Sequence, residues 1–512
     1  MSVRSILFGS VEDAGDPGGA EPEYFRDLNL DQVAGAVAEA AGSPDVAPYF
    51  HRPLHDPAQV VHRQRIFRDL EDPAVLAVAE RFTASMARTR TRLDALARRK
   101  HPPQADRWFL EIVLDHTAAV EGLGEGLDAA GVASPGLRTL RDDIAALASS
   151  APFNELREGA ARLRDRLGEV RYDLLLRGDQ VSVAAHDEDG RFDYAERVLA
   201  RFERFRQQPP RAAPVDRAPV YGLDAVEAGV LDLVVELFPR LFADLAAFRE
   251  THRDFVSADV VRADRELRFC LGYASFLAPV REAGLPTCYP AVSSTGKELL
   301  ALDVYDLALA ARPAGRAGRV VTNDLRLDGD ERVLVVSGPN QGGKTTLART
   351  FGQLHHLAAL GCPVPGREVR IHLPDRIFTH FGRREAVGGL ASKLEEELLR
   401  LREILERATP RSVIVLNETF SSTTFGDARL LSESVLDAIV RLDAPCLWVS
   451  FVHELSLLSP TAVSMVSTVA DDDRTTRTYK VVRRAADGRA HALALAERHG
   501  LTGAQITERM RA

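Results

Sequence analysis

The sequence predicts two architectures in one chain: a mostly α-helical body over residues 24–319 and an α/β carboxyl-terminal domain over residues 320–512. Three observations carry this. Apolar residues recur at helical spacing through the first part, as in Leu28, Leu30, Val33 and Val37 and again in Val75, Val78, Phe82 and Met86. From Val320 onward, apolar runs at Val333–Ser337, Val413–Leu416 and Leu447–Phe451 alternate with helical segments at Thr345–Leu360, Lys393–Glu406 and Ala428–Leu442, the pattern of a sheet covered by helices. The length, 512 residues, exceeds what one hydrophobic core organises.

Ahead of the body, residues 1–23 read as a frayed, disordered tail, with a short apolar patch followed by acidic and glycine-rich residues. Helical periodicity then runs to about residue 168. The arginine-rich stretch Met86–His101 is read as a solvated outer face. Residues 171–194 carry two apolar runs flanking Gly178-Asp179, a hairpin signal. A basic helix follows, ending in a proline-rich connector. A long helical stretch then runs from Leu223 through Phe255 with a kink expected at Pro239.

Composition narrows the class without choosing a partner. With 45% hydrophobic and 27% charged residues and no apolar run long enough for a bilayer, the chain reads as cytoplasmic and without a membrane partner. Cys270, Cys288, Cys362 and Cys446 lack metal-binding or disulfide-framework spacing. A net charge of −9 does not favour nucleic acid, although local basic stretches can still bind phosphate. Lysine occurs at positions 100, 297, 344, 393 and 480 alone.

One of those lysines lies in a phosphate-binding motif. Gly338-Pro339-Asn340-Gln341-Gly342-Gly343-Lys344-Thr345 is G-x-x-x-x-G-K-[ST], directly after an apolar strand and directly before a helix. Glycines let the backbone N–H groups converge on phosphate oxygens, and the helix N-terminus adds its dipole. Lys344 is expected to neutralise phosphate charge and Thr345 to offer a hydroxyl to Mg²⁺, making ATP with Mg²⁺ the predicted cofactor pair. Downstream, Val413–Leu416 delivers Asn417 and Glu418 to a strand's carboxyl edge, where ligands of open α/β sheets lie. Glu418 is the candidate to orient or deprotonate the attacking water.

These segments resemble the ATPase motifs of the MutS family. The residues that carry the likeness are S-G-P-N-Q-G-G-K-T-T, through Thr346, then D-R-I-F-T-H-F-G from Asp375 to Gly382 and N-E-T-F-S-S-T-T-F-G-D from Asn417. Asn323, in V-T-N-D, is similar to a family segment near the nucleotide. More loosely, 24–33, 53–57 and 63–70 resemble the family's core domain, about 101–215 its β-containing clamp, and the following long helix its returning lever. The resemblance implies an ABC-type P-loop ATPase acting as a homodimer on mismatched or branched duplex DNA. It also implies that Ser392 reaches the γ-phosphate of the other subunit and that Asp427 belongs to the dimer interface. From the residues alone, Ser392 is a helix N-cap with Glu395 completing a capping box.

Three departures accompany the likeness. The resemblance begins at the core-like segment, so no counterpart of the mismatch-recognition domain is expected and mismatch specificity does not carry over. Asn417 stands where the family has an aspartate beside its glutamate, so the metal position keeps a carbonyl oxygen and loses a charge. The family's T-H pair reads Ser450-Phe451, with His453 the nearest histidine, read equally as a γ-phosphate sensor or as a helix cap. Contact with DNA is expected through Arg171, Arg177, Arg191, Arg197, Arg201, Arg204 and Arg206, amid acidic Asp187, Glu188, Asp189 and Asp193. The alternative is an ATP-driven clamp on a protein or ribonucleoprotein partner.

Overall fold

A computed structural model describes residues 3–8, 19–177, 180–186, 223, 225–312, 320–382, 393–470, 476–485 and 506. The chain divides into two compact units. One comprises Glu80–Gly126 and Asp142–Val261; the other comprises Ser2–Ala79, Leu127–Arg141 and Arg262–Ala512.

Helices open the chain: α1 (Leu30–Ala40), a 3₁₀ turn (Pro44–His51), α2 (Pro57–Asp69), α3 (Pro73–Leu96), α4 (Pro102–Ala129), α5 (Pro135–Ala148) and α6 (Ala151–Gly168). Proline opens four of these helices, where its missing N–H costs no intrahelical bond and its fixed φ suits the first turn. The Asp56 side chain caps α2 by accepting from the Ala58 N–H at 2.9 Å. After α6 the hairpin appears: β1 (Tyr172–Arg177) pairs antiparallel with β2 (Gln180–Ala185), with Arg177 opposite Gln180. The expected long helix is two, α7 (Ala225–Leu237) and α8 (Pro239–Thr251), because Pro239 cannot donate to the preceding turn and starts a new helix instead. The first unit's core gathers Leu96, Phe109, Val113, Leu156, Leu163 and Leu245, and Phe255 meets Phe109 edge-on at 5.5 Å. Along the arginine-rich stretch, Arg88 is exposed and pairs with the Ser85 hydroxyl, while half-exposed Arg92 pairs with Asp115 and Arg99 lies over the Trp108 ring.

The second unit holds α9 (Ala258–Glu282) from Arg262 onward, then β3 (Thr287–Cys288), β4 (Ala291–Ser293), β5 (Leu299–Val304), α10 (Leu307–Ala310), β6 (Asn323–Leu327), β7 (Val333–Ser337) and α11 (Lys344–Ala359). It continues with β8 (Val364–Pro365), β9 (Glu368–His372), β10 (Ile377–Phe381), α12 (Lys393–Arg407), β11 (Val413–Asn417), α13 (Phe425–Leu442), β12 (Cys446–Val449), β13 (Ala462–Val469) and β14 (Arg477–Arg483). Six strands form the central sheet in the order β10-β11-β12-β7-β13-β14, all parallel except β14, which runs antiparallel to β13. β7, β11 and β12 are buried at every residue, which is why their sequences are continuous apolar runs rather than alternating ones. Helices pack on this sheet through Ile404, Leu436 and Ile439 against Val335, Leu416 and Trp448.

Two expectations are corrected. The α/β architecture begins before residue 320, because β4 and β5 share a second sheet, ordered β4-β9-β5-β6, with strands from 323–327 and 368–372. The amino-terminal residues are not a frayed tail throughout: Val3, Ser5, Ile6, Leu7 and Phe8 are buried. The Glu266 carboxylate accepts from the Ser5 hydroxyl at 2.6 Å and the Ile6 N–H at 2.8 Å, so the apolar patch enters a core whose polar rim is satisfied.

Candidate active site

The site assembles at the carboxyl end of the central sheet. β7 ends at Ser337, the glycine-rich loop spans 338–343, and Lys344 begins α11. Gly338 and Gly343 take φ of 119° and 90°, and Gln341 takes 60°, the left-handed turns that fold the loop over the helix N-terminus. Crowding fixes a further glycine. A Cβ on Gly342 would overlap the Ser467 hydroxyl, which instead donates to the Gly342 carbonyl at 2.7 Å. Ser467 lies fully buried in β13 and braces the loop from the neighbouring strand.

Lys344 is folded along its own loop, with Nζ donating to the Gly338 and Pro339 carbonyls at 2.8 and 3.0 Å and to Asn340 Oδ1 at 3.4 Å. Burial holds its ammonium below the usual lysine range, Glu418 acts in the opposite direction, and Arg477 adds to the lowering. The next residue reaches across the sheet: the Thr345 hydroxyl donates to Asn417 Oδ1 at 3.0 Å. Asn417 closes β11, and Glu418, exposed and at φ 55°, is pinned by its N–H to the Val449 carbonyl at 2.9 Å. The following turn is anchored from two sides. Phe420 N–H donates to Glu397 Oε2 at 2.9 Å, and the Trp448 indole donates to the Thr419 hydroxyl at 3.0 Å.

Gln341, Gly342, Gly343, Lys344, Thr345 and Thr346 line a cavity of about 860 Å³ together with Glu418, Asn323, Tyr305 and Tyr479. A cleft of this size accommodates a nucleotide. Gly338, Pro339 and Asn340 supply carbonyl oxygens to Lys344 and Arg477. Asn323 is committed at both ends of its amide, donating to the Tyr479 carbonyl at 3.2 Å and accepting from the Val481 N–H at 2.7 Å. It ties β6 to β14 and so shapes the cavity wall. Two neutral oxygens, Thr345 Oγ1 and Asn417 Oδ1, stand together at 3.0 Å; hard oxygen donors of this kind fit Mg²⁺ accompanied by phosphate and water.

Other sequence candidates are placed differently. His453 starts a 3₁₀ turn (His453–Leu457), with its Nδ1 3.4 Å from Glu454 Oε2, and is not among the residues that line the cavity. Ser450 accepts from the Val452 N–H at 3.0 Å, and the Phe451 ring lies tilted against Phe425 with centroids 6.2 Å apart. Asp427 forms a reciprocal cap with Thr424 at the start of α13. Arg171, expected to face a ligand, donates instead to the Gly168 and Val170 carbonyls at the end of α6. Ser392, Arg191, Arg197, Arg201, Arg204 and Arg206, the four acidic residues from Asp187 to Asp193, and the Arg177 side chain lie outside the described residues. Sequence reasoning missed Ser467 and Arg477, since neither belongs to a short motif; only strand neighbours bring them to the loop.

Comparison with known proteins places this site in a family context. Residues 334–510 match the family model described as MutS domain V. The chain is 32% identical over 202 residues to the DNA mismatch repair protein MutS of Shouchella clausii, covering 38% of this chain and 23% of that protein. It is 29% identical over 401 residues to Endonuclease MutS2 of Thermus thermophilus, covering 76% of this chain and 49% of that protein. The second alignment is longer than the whole of residues 320–512, so the similarity reaches into the helical body. The chain spans less than half the length of these curated relatives. Among the described residues no helix is long and apolar enough to cross a membrane.

Proposed function

We propose, from the premise that this chain belongs to the MutS family through its carboxyl-terminal domain, that it is an ATPase whose nucleotide cycle drives a transaction on duplex DNA. The observation that carries the ATPase reading is the convergence of Lys344, Thr345 and Glu418 on one cavity at the sheet edge, with buried Asn417 hydrogen-bonded to Thr345 behind it. Backbone N–H groups of the loop and the α11 N-terminus bind the phosphates, and Lys344 balances their charge. Thr345 and Asn417 would hold Mg²⁺, which when bound neutralises charge on the β- and γ-phosphates. Glu418 orients a water toward the γ-phosphorus and accepts its proton as the new P–O bond forms and the bond to the β–γ bridging oxygen breaks.

The resemblance of the loop and of the Asn417–Asp427 segment to the family motifs supports a homodimer in which Ser392 of one copy reaches the nucleotide of a second. DNA as the partner, mismatched duplex in particular, is supported by the name of one relative, a DNA mismatch repair protein, and branched duplex by the resemblance of the motifs alone. The coupling would run through ATP binding, which draws two ATPase domains together, and hydrolysis, which releases them. Measuring the affinity of the intact protein for homoduplex, mismatched and branched DNA across salt concentrations tests the DNA part. Phosphate contacts predict affinity that falls linearly on a log–log salt plot. Absence of DNA binding at low salt would transfer the reading to a clamp acting on a protein or ribonucleoprotein.

A further inference from the structure

Arg477 is a cation at the phosphate loop that no motif announces. It opens β14 opposite Val469 of β13, its Nε donates to the Asn340 carbonyl at 3.2 Å, and it lines the same cavity as Lys344, Thr345 and Glu418. The charges around the cavity are unevenly shared. At the position that would take metal the two paired oxygens are both neutral, belonging to Thr345 and Asn417. The other carboxylate on the described lining, Asp306, is buried and committed to Gln353 Nε2 at 2.8 Å and the Leu309 N–H at 3.2 Å. Lys480, the third cation on the lining, donates to the Thr322 carbonyl. A polyphosphate entering this cleft therefore meets two protein cations at the loop and a weakly charged metal position.

Resting on the reading that the cleft takes a nucleoside triphosphate, we propose that Arg477 contacts the phosphates from within the same chain and lets nucleotide bind with little dependence on divalent metal. Its planar fork suits bidentate phosphate contact, which lysine cannot reproduce. Metal is then needed for turnover more than for capture. Arg477 supplies charge that an Asp at position 417 would otherwise have recruited through the metal.

Equilibrium titration of the intact protein with a fluorescent ATP derivative, in excess EDTA and in excess Mg²⁺, tests this. Wild type is expected to bind in EDTA within about tenfold of its affinity in Mg²⁺. Arg477→Ala should lose about tenfold or more in EDTA, the scale of a lost hydrogen bond to a charged group, and less in Mg²⁺. Arg477→Lys should recover part of that loss. Its melting temperature, together with that of Arg477→Ala, would show both variants folded. Equal binding of wild type and Arg477→Ala in EDTA, or a wild type that binds in Mg²⁺ alone, would overturn the proposal while leaving the nucleotide site standing. Failure of wild type to bind in either condition, or binding unaltered by Lys344→Ala, would instead remove the nucleotide reading itself.

Discussion

The Thr345 hydroxyl donates to the Asn417 amide oxygen across 3.0 Å, joining the first turn of the phosphate-loop helix to the strand end that presents Glu418. Through this bond two segments 72 residues apart in sequence meet at the position proposed for Mg²⁺. Its chemistry is set by an amide rather than a carboxylate, and the consequences can be measured.

Restoring a carboxylate at this position should strengthen metal binding. Two unit charges about 4 Å apart at an effective dielectric of about 20 interact by about 4 kcal/mol, and partial exposure reduces that. Asn417→Asp is expected to lower the Mg²⁺ concentration for half-maximal ATP hydrolysis by about tenfold. An unchanged Mg²⁺ titration would count against the assignment of Asn417 to the metal.

Glu418 is assigned to the attacking water and not to holding nucleotide. Glu418→Gln should reduce kcat by about 100-fold or more while ATP affinity stays within about threefold. Comparable losses in both quantities would recast Glu418 as a binding residue.

The brace between Ser467 and Gly342 should matter to the loop in proportion to one buried hydrogen bond. Ser467→Ala is expected to cost about 1 kcal/mol of stability and to raise the KM for ATP, since the loop loses its support from β13. Gly342→Ala should be harsher, because the new Cβ overlaps the Ser467 hydroxyl. Thermal melting and steady-state kinetics of the two variants check both statements.

Acid should loosen the helix behind the phosphate loop. His355 and His356, both fully buried in α11, have pKa values pushed down to about 3 by burial. Below the ordinary histidine pKa of about 6.5 the unfolded chain gains protons that the folded chain refuses, so stability falls as pH drops from there toward 3. Each ring contributes a slope of up to about 1.4 kcal/mol per pH unit within that window. Denaturant unfolding at pH 7 and pH 5, repeated on His355→Gln, should show the decline and a shallower decline in the variant; equal slopes would contradict it.

Much of the site was legible because phosphate chemistry forces a local pattern. The glycines, Lys344 and Thr345 must be consecutive, and a strand must precede them. Glu418 was legible for a related reason: a buried parallel strand is an unbroken apolar run, and the polar residues that end it sit at the sheet's carboxyl edge. The hairpin at residues 172–185 and the break at Pro239 followed from equally local rules of turns and proline. What stayed hidden depends on contacts far apart in sequence. Ser467 and Arg477 reach the loop only because β13 lies beside β7 and β14 beside β13. The docking of residues 3–8 depends on Glu266, some 260 residues away. Asn323, expected near the nucleotide, lines the cavity, and that its amide also ties β6 to the backbone of β14 is something only the strand arrangement reveals.

The most direct test of the account is steady-state ATP hydrolysis by the purified protein with and without homoduplex, mismatched and branched DNA, beside Lys344→Ala. The account predicts Mg²⁺-dependent hydrolysis that DNA stimulates and that Lys344→Ala abolishes. Hydrolysis absent from wild type, or unaltered by Lys344→Ala, would contradict it.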